Sequence, residues 1–253
     1  MFLIKIRFTL YTAFLFFLLP YLWCVKYFSD PKEFSKKIYR FPRTWGSRIM
    51  KWMKADVEIS GSENIPHEPV VIIANHQAGF DIPLLFSVMT NRPSFIAKKE
   101  LSRIPLFASW MRMIGCLFID RSSPRKALGS FKKASVMIKK GQTVILFPEG
   151  TRRPNIIPFK KGSFKLPVMA GVPVLPVTIC GTENIIDNFN SGKRTPVKVI
   201  IRKPINIGSL PVEEQKNIHN RVREIIISAF LPVFCNICPV LIAADIYRTT
   251  VRT

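Results

Sequence analysis

The sequence predicts an α/β domain, a mostly parallel or mixed sheet covered by helices, preceded by an N-terminal helical membrane-attachment segment. Three observations carry this expectation. After Lys54, short runs rich in Val and Ile recur, each bounded by Gly, Pro or charge and too short for a helix. Helical patterns lie between several of these runs, and strands alternating with helices argue for a largely parallel sheet with both faces covered. Before Lys54 the chain is both its most apolar and its most densely basic, with 11 Lys/Arg against 2 Asp/Glu in residues 1–54. A segment that is greasy and basic together suits a membrane surface.

Composition narrows the class. The 253 residues are 48% hydrophobic and 21% charged, which excludes a disordered chain. Only one stretch is apolar for long enough to approach a bilayer span, which excludes a many-spanning transporter. Lys and Arg number 38 against 16 acids, a net charge of +22. Such a charge calls for anionic company: nucleic acid, an acidic membrane, or phosphorylated substrates and acidic carriers. The five cysteines (Cys24, Cys116, Cys180, Cys235 and Cys238) are odd in number and mostly isolated in apolar runs, as free thiols in a reducing compartment are.

Taken in order, the elements begin with Phe8 to Val25, uncharged and flanked by Lys5, Arg7 and Lys26. Eighteen helical residues rise about 27 Å, just under the ~30 Å hydrocarbon core, and Pro20 would kink them. Both a marginal transmembrane helix and a bent segment dipping into one leaflet fit. Residues 36–54 hold seven basic side chains and no acid, with Ile38, Phe41, Trp45, Ile49 and Trp52 on one helical face. Tryptophan and the basic excess favour an interfacial helix over a core helix, with Pro42 and Gly46 expected to bend or interrupt it. Strands are expected at Val70–Ala74, Phe95–Ala97, Cys116–Ile119, Thr143–Phe147, Val174–Ile179 and Val197–Ile201, and helices over Lys126–Lys140 and Glu213–Leu231. Three regions result: attachment helices over 1–54, an α/β domain over 55–231, and a tail over 232–253 without a recognisable role.

Candidate chemistry falls just after predicted strands, where α/β proteins place their sites. Asn75-His76-Gln77-Ala78-Gly79-Phe80-Asp81 sets a histidine five residues before an acid, across a turn that Gly79 permits. Asp81-Ile82-Pro83 reads as a helix start, with Asp81 as N-cap. The bland reading is a capping acid and a loop histidine. The functional one is a general base, His76, with Asp81 fixing its tautomer and stabilising the imidazolium. No Gly-x-Ser-x-Gly is present, so a protein nucleophile is not expected and a substrate hydroxyl would attack directly. His67 and His219 lie in no ligand spacing and Cys235-x-x-Cys238 lacks a second pair, so no metal is expected. Arg121, ending the run Cys116–Ile119-Asp120, offers a guanidinium to a phosphate or to an ordinary salt bridge. Phe147-Pro148-Glu149-Gly150-Thr151-Arg152 follows another strand, with Gly150 for a tight backbone and Thr151 and Arg152 as donors to an anion.

These motifs in this order, followed by Val172-Pro173-Val174-Leu175-Pro176-Val177, closely resemble the series of the glycerolipid acyltransferases, and in particular 1-acyl-sn-glycerol-3-phosphate (lysophosphatidic acid) acyltransferases. The resemblance covers roughly residues 55–205 and includes Lys98-Lys99-Glu100-Leu101 with Ile104-Pro105; Ala108 stands where the family often has Gly. It implies transfer of a fatty acyl group from a thioester to the sn-2 hydroxyl of lysophosphatidate, giving phosphatidic acid for phospholipid biosynthesis. It also implies His76 as general base, Asp81 as its partner, and Arg121, Glu149 and Arg152, with Gly150 and Thr151, shaping the phosphate end of the acceptor site. Lys98, or the adjacent Lys99, matches the basic position of the second motif.

The implied chemistry needs no cofactor beyond the co-substrate, acyl-CoA or acyl carrier protein, and a basic surface suits either donor. The expected partners are membrane lipids, lysophosphatidate and the acyl donor, at the cytoplasmic face of a membrane (the inner membrane in a bacterium). An acyltransferase acting on glycerol-3-phosphate, a lysophospholipid or a lyso-aminolipid is the nearest alternative. A non-enzymatic basic membrane protein or nucleic-acid binder is the distant one. A nucleic-acid module should show stacking aromatics on an exposed basic face, whereas here the aromatics concentrate in the N-terminal segment, so no nucleic acid is expected.

Overall fold

The computed structural model describes residues 10, 11, 13, 14, 17–120 and 122–237. Seven strands form one sheet: β1 (Ala55–Ser60), β2 (Val71–Ala74), β3 (Ser94–Lys98), β4 (Leu117–Ile119), β5 (Val144–Leu146), β6 (Val174–Cys180) and β7 (Thr195–Ile201). Their spatial order is β1-β7-β6-β2-β5-β3-β4, and every neighbouring pair is parallel except β6 and β7. The central strands have no polar face because both of their faces are covered. In β2, Ile72 and Ala74 join one core cluster while Val71 and Ile73 join another on the opposite side, and all four are fully buried.

On the first face lie α3 (Arg40–Trp52), α4 (Asp81–Val88) and α5 (Pro105–Met113). On the second lie α6 (Pro124–Lys139), α7 (Lys165–Ala170) and α10 (Ile218–Ile237). The short α8 (Ile185–Asn190) and α9 (Val212–Lys216) link strands and helices, with α9 and α10 parted at Asn217 within the single helix expected over Glu213–Leu231. Ser123 starts α6 by accepting the Lys126 N–H, with Pro124 in the first turn.

Near the N-terminus, α1 (Leu19–Phe28) and α2 (Pro31–Ile38) pack with α5 through Leu19, Leu22, Phe34, Ile38 and Met113. Among the described residues no helix is long and apolar enough to cross a membrane, and α1 has ten residues. Part of the Phe8–Val25 stretch and residues 238–253 lie outside the described residues.

The amphipathic segment 36–54 also departs from expectation. Its chain breaks at Tyr39, and α3 turns its apolar side toward the domain rather than outward, burying Pro42, Gly46, Ile49 and Met50. Amphipathicity reveals a face but not what covers it, and here the cover is α4. Gly46 does not interrupt the helix; it permits this contact. A Cβ there would stand 2.2 Å from the Pro83 carbonyl oxygen. Trp45 packs edge-on against Phe86 of α4 at 6.3 Å between ring centroids. Tyr39 donates its hydroxyl to the Met89 carbonyl just beyond α4. Residues 40–52 therefore belong to the core of the α/β domain.

Candidate active site

The site forms where β2, β5 and β6 end side by side. The loop after β2 is pinned by Asn75, whose amide donates to the Ile179 carbonyl and accepts the Ile179 N–H, both at 2.8 Å. That two-way bond to β6 fixes the position of the next residue, His76. Its Nδ1 lies 2.6 Å from Asp81 Oδ2, and Asp81 is fully buried. Asp81 begins α4, but its carboxylate is not the N-cap acceptor expected. It turns back into the loop, where Oδ2 accepts the N–H groups of Gln77 (2.8 Å) and Ala78 (3.1 Å) and Oδ1 accepts the Thr182 hydroxyl. Where Nδ1 donates to this carboxylate, Nε2 keeps the free lone pair.

Phe147, at the end of β5, stacks on the His76 ring at 4.0 Å with 12° between planes. From there a wall of aromatic rings runs through Phe95 and Phe86 to Trp45. This wall borders a cavity of about 520 Å³ between β3 and α3, α4 and α5, in the size range of small-ligand pockets. His76, Gly150, Thr151, Arg152 and Lys98 contribute to its polar end, while Trp110 and Met111 of α5 contribute to its apolar body. Ala108 is fully buried within α5, where its methyl fits.

Arg152 reaches across the site, and its Nε donates to His76 Nε2 at 3.3 Å. Gly150 holds φ 73°, the left-handed conformation that turns Thr151 and Arg152 toward the cavity. Glu149 behaves differently from the phosphate-shaping role implied for it. Only 2% exposed, it points inward, accepts the His76 N–H at 3.1 Å and does not line the cavity. Burial pushes its carboxyl up to about 7, the His76 and Ile157 N–H groups oppose the rise, and the nearby Asp81 charge adds to it. A second strap, from Arg153 N–H to the His76 carbonyl at 2.9 Å, ties the two loops together.

Lys98 stands exposed at the cavity rim, 3.5 Å from Glu100, whereas Lys99 is engaged with Asp120 at 2.9 Å. Of the two lysines, Lys98 is therefore the one at the site. Arg121 lies outside the described residues. Among the described residues no three His, Cys, Asp or Glu side chains converge as a metal site. Two site residues escaped sequence reasoning. Phe147 had a signal, its place directly before Pro148-Glu149-Gly150. Thr182 had none, because its partner Asp81 is 101 residues away.

Known proteins resemble this chain in sequence and in fold. The family model described as Acyltransferase matches residues 56–180. A probable 1-acyl-sn-glycerol-3-phosphate acyltransferase of Mycoplasma genitalium is 33% identical, with 86% of this chain and 88% of that protein covered. The crystal structure of the 1-acyl-sn-glycerophosphate acyltransferase PlsC from Thermotoga maritima superposes with a TM-score of 0.69 at 31% identity, covering 89% of this chain and 95% of that one. The chain belongs to the 1-acyl-sn-glycerol-3-phosphate acyltransferase family. The chloroplastic family member BAT2 of Brassica napus is 36% identical over 68% of this chain, which spans about half (52%) of that protein's length. The family match begins and ends inside the α/β domain, at β1 and β6, and so contains every described side chain of the polar end of the cavity.

Proposed function

We propose that this protein transfers a fatty acyl group from an acyl thioester, acyl-CoA or acyl carrier protein, to the sn-2 hydroxyl of 1-acyl-sn-glycerol-3-phosphate, giving phosphatidic acid. The observation that carries this reading is the His76–Asp81 pair at the polar end of an apolar cavity, with Arg152 beside it. A base next to a cation suits an alcohol that bears a phosphate, and an aromatic-walled cavity suits an acyl chain.

In this reading His76 Nε2 takes the proton of the acceptor hydroxyl as its oxygen attacks the thioester carbonyl carbon. Asp81 stabilises the imidazolium through Nδ1–H. Collapse of the tetrahedral intermediate forms the ester and breaks the carbon–sulfur bond, and His76 returns its proton to the thiolate. A thioester is already activated, so the protein's contribution is orientation, proton transfer and charge stabilisation, and no further cofactor is needed. The Arg152 guanidinium has the fork geometry to meet the acceptor phosphate.

The acceptor and the acyl chain both reside in bilayers. Exposed Tyr21, Trp23, Tyr27 and Phe28 on α1, with exposed Ile104, Leu106 and Phe107 at the start of α5, support docking on a membrane surface, and the basic N-terminal segment favours its cytoplasmic face. The deciding experiment is a purified-protein assay that crosses acyl-CoA and acyl carrier protein donors with lysophosphatidate, glycerol-3-phosphate and neutral lysolipids. Lysophosphatidate should be acylated at least tenfold faster than the others. Equal rates on a phosphate-free acceptor would overturn the assignment.

A further inference from the structure

We infer that Thr182 is a positioning residue for the proposed reaction, completing a buried Thr182–Asp81–His76 chain that holds the base in its working orientation. The inference rests on reading His76 and Asp81 as the base pair.

Thr182 follows β6 and is 1% exposed, so its hydroxyl is shut off from bulk solvent. It donates to Asp81 Oδ1, the carboxylate oxygen that His76 does not use. Gln77 Oε1 lies farther from the same hydroxyl, at 3.5 Å, so its single proton goes to Asp81. Asp81 thus has acceptor sites filled on both oxygens: Oδ2 by His76 Nδ1 and the Gln77 and Ala78 N–H groups, Oδ1 by Thr182.

The geometry explains why the fourth donor matters. The three partners on Oδ2 all come from residues 76–78, one loop on one side of the carboxylate. With Oδ1 unheld, the carboxyl plane is free to rotate about its Cβ–Cγ bond and swing Oδ2 off the imidazole. Thr182 comes from the turn that follows β6, the neighbour of β2 in the sheet, and pins that plane from the other side. The buried oxygen is also a charged acceptor, for which a lost donor is costly. The sheet itself supplies this third member, as the β2–β6 register that lets Asn75 grip Ile179 also brings Thr182 to Asp81.

The test compares Thr182→Val, Thr182→Ser and Thr182→Ala in the full-length protein, beside His76→Ala. Valine removes the hydroxyl and keeps the shape; serine keeps the hydroxyl and removes the methyl. We expect Thr182→Val to lose about 10- to 100-fold in kcat with acceptor KM within about twofold, and Thr182→Ser to stay within about threefold of the parent. The low-field NMR resonance of the His76 Nδ1 proton, which requires no substrate, should shift or broaden in Thr182→Val and persist in Thr182→Ser. If Thr182→Val fails to fold, Thr182→Ser must still exceed Thr182→Ala in kcat by about tenfold, since those two differ by the hydroxyl alone. Parental kcat in Thr182→Val, or equal kcat in the serine and alanine variants, would overturn the inference. An active His76→Ala would instead remove the base reading on which it rests.

Discussion

Arg152 Nε donates to His76 Nε2 at 3.3 Å, so the nitrogen proposed as base accepts a hydrogen bond from a cation. A nitrogen that accepts from a guanidinium is unprotonated, and its partner nitrogen faces a buried carboxylate at 2.6 Å. Both contacts fit the tautomer that the proposed reaction needs. In the proposed reaction Nε2 exchanges the arginine for the acceptor hydroxyl, and the acceptor phosphate gives the arginine a stronger partner than imidazole.

Removing the base should be close to abolishing. His76→Ala should lower kcat by about 10²- to 10⁴-fold with the fold retained, as general-base catalysis typically contributes. Asp81→Ala should also eliminate turnover, because it strips a buried acceptor from four donors. Asp81→Asn should be milder than His76→Ala. Circular dichroism alongside steady-state kinetics checks both points, and full activity in a folded His76→Ala protein would refute the mechanism.

Arg152→Lys keeps the charge and loses the fork. The acceptor KM should rise or kcat should fall at least tenfold with lysophosphatidate, with a smaller effect on a phosphate-free lysolipid. Unchanged kinetics with lysophosphatidate would show that Arg152 does not read the phosphate.

Glu149 gives a prediction of opposite kind, about stability. Its carboxyl is raised from 4.5 to about 7 by burial. Between those values the folded state holds a proton that the unfolded state has released, so this group makes stability fall as pH rises from about 4.5 to 7. Glu149→Gln keeps an acceptor for the His76 N–H and removes the charge. Thermal midpoints at pH 5 and pH 8 should therefore differ less in Glu149→Gln than in the parent, with the variant gaining most at pH 8. An identical pH dependence in the two proteins would contradict the buried-charge account.

How much of this was legible beforehand depends on how local each signal is. His76, Asp81, Gly150, Thr151 and Arg152 sit in loops whose residue types announce chemistry, and those loops converge because β2 and β5 are neighbours. The role of Glu149 was not legible, since the string Pro148-Glu149-Gly150 does not say which way the carboxylate points. Thr182 was hidden for a similar reason, its meaning being set by the β2–β6 pairing rather than by its sequence neighbours. β1 shows no Val/Ile run because it is an edge strand, in which the exposed acids Asp56 and Glu58 alternate with Val57 and Ile59. The face of α3 was visible as a pattern, but its partner α4 was not.

The Gly46 contact tests that last pairing. Gly46→Ala puts a methyl against the Pro83 backbone, and overpacking of this sort costs about 1–3 kcal/mol. For a domain this size each kcal/mol lowers the thermal midpoint by about 2–4 °C, so a clear drop is expected. The parental midpoint in Gly46→Ala would mean that α3 does not pack tightly on α4.

Membrane docking and the integrity of the cavity can be tested apart, because the exposed aromatics of α1 lie away from the cavity. Phe41, Pro42 and Trp45 of α3 line the cavity, so a protein beginning near residue 55 should be inactive even on detergent-dispersed, short-chain substrate. Loss of activity on truncation there would therefore say nothing about membranes. The exposed α1 residues Tyr21, Trp23, Tyr27 and Phe28 line no part of that cavity. Replacing all four by Ser should cut partitioning onto anionic vesicles while leaving turnover of dispersed substrate within about twofold. Each exposed basic group near such a surface contributes about 1 kcal/mol, screened by salt, so the charge-borne share of the Ser variant's residual binding should vanish at 1 M salt, where the Debye length is ~3 Å. The parent should resist that wash, because aromatic burial is not screened. A parent that washes off completely at 1 M salt would show that charge alone holds it, and the aromatic face of α1 would lose its assigned role.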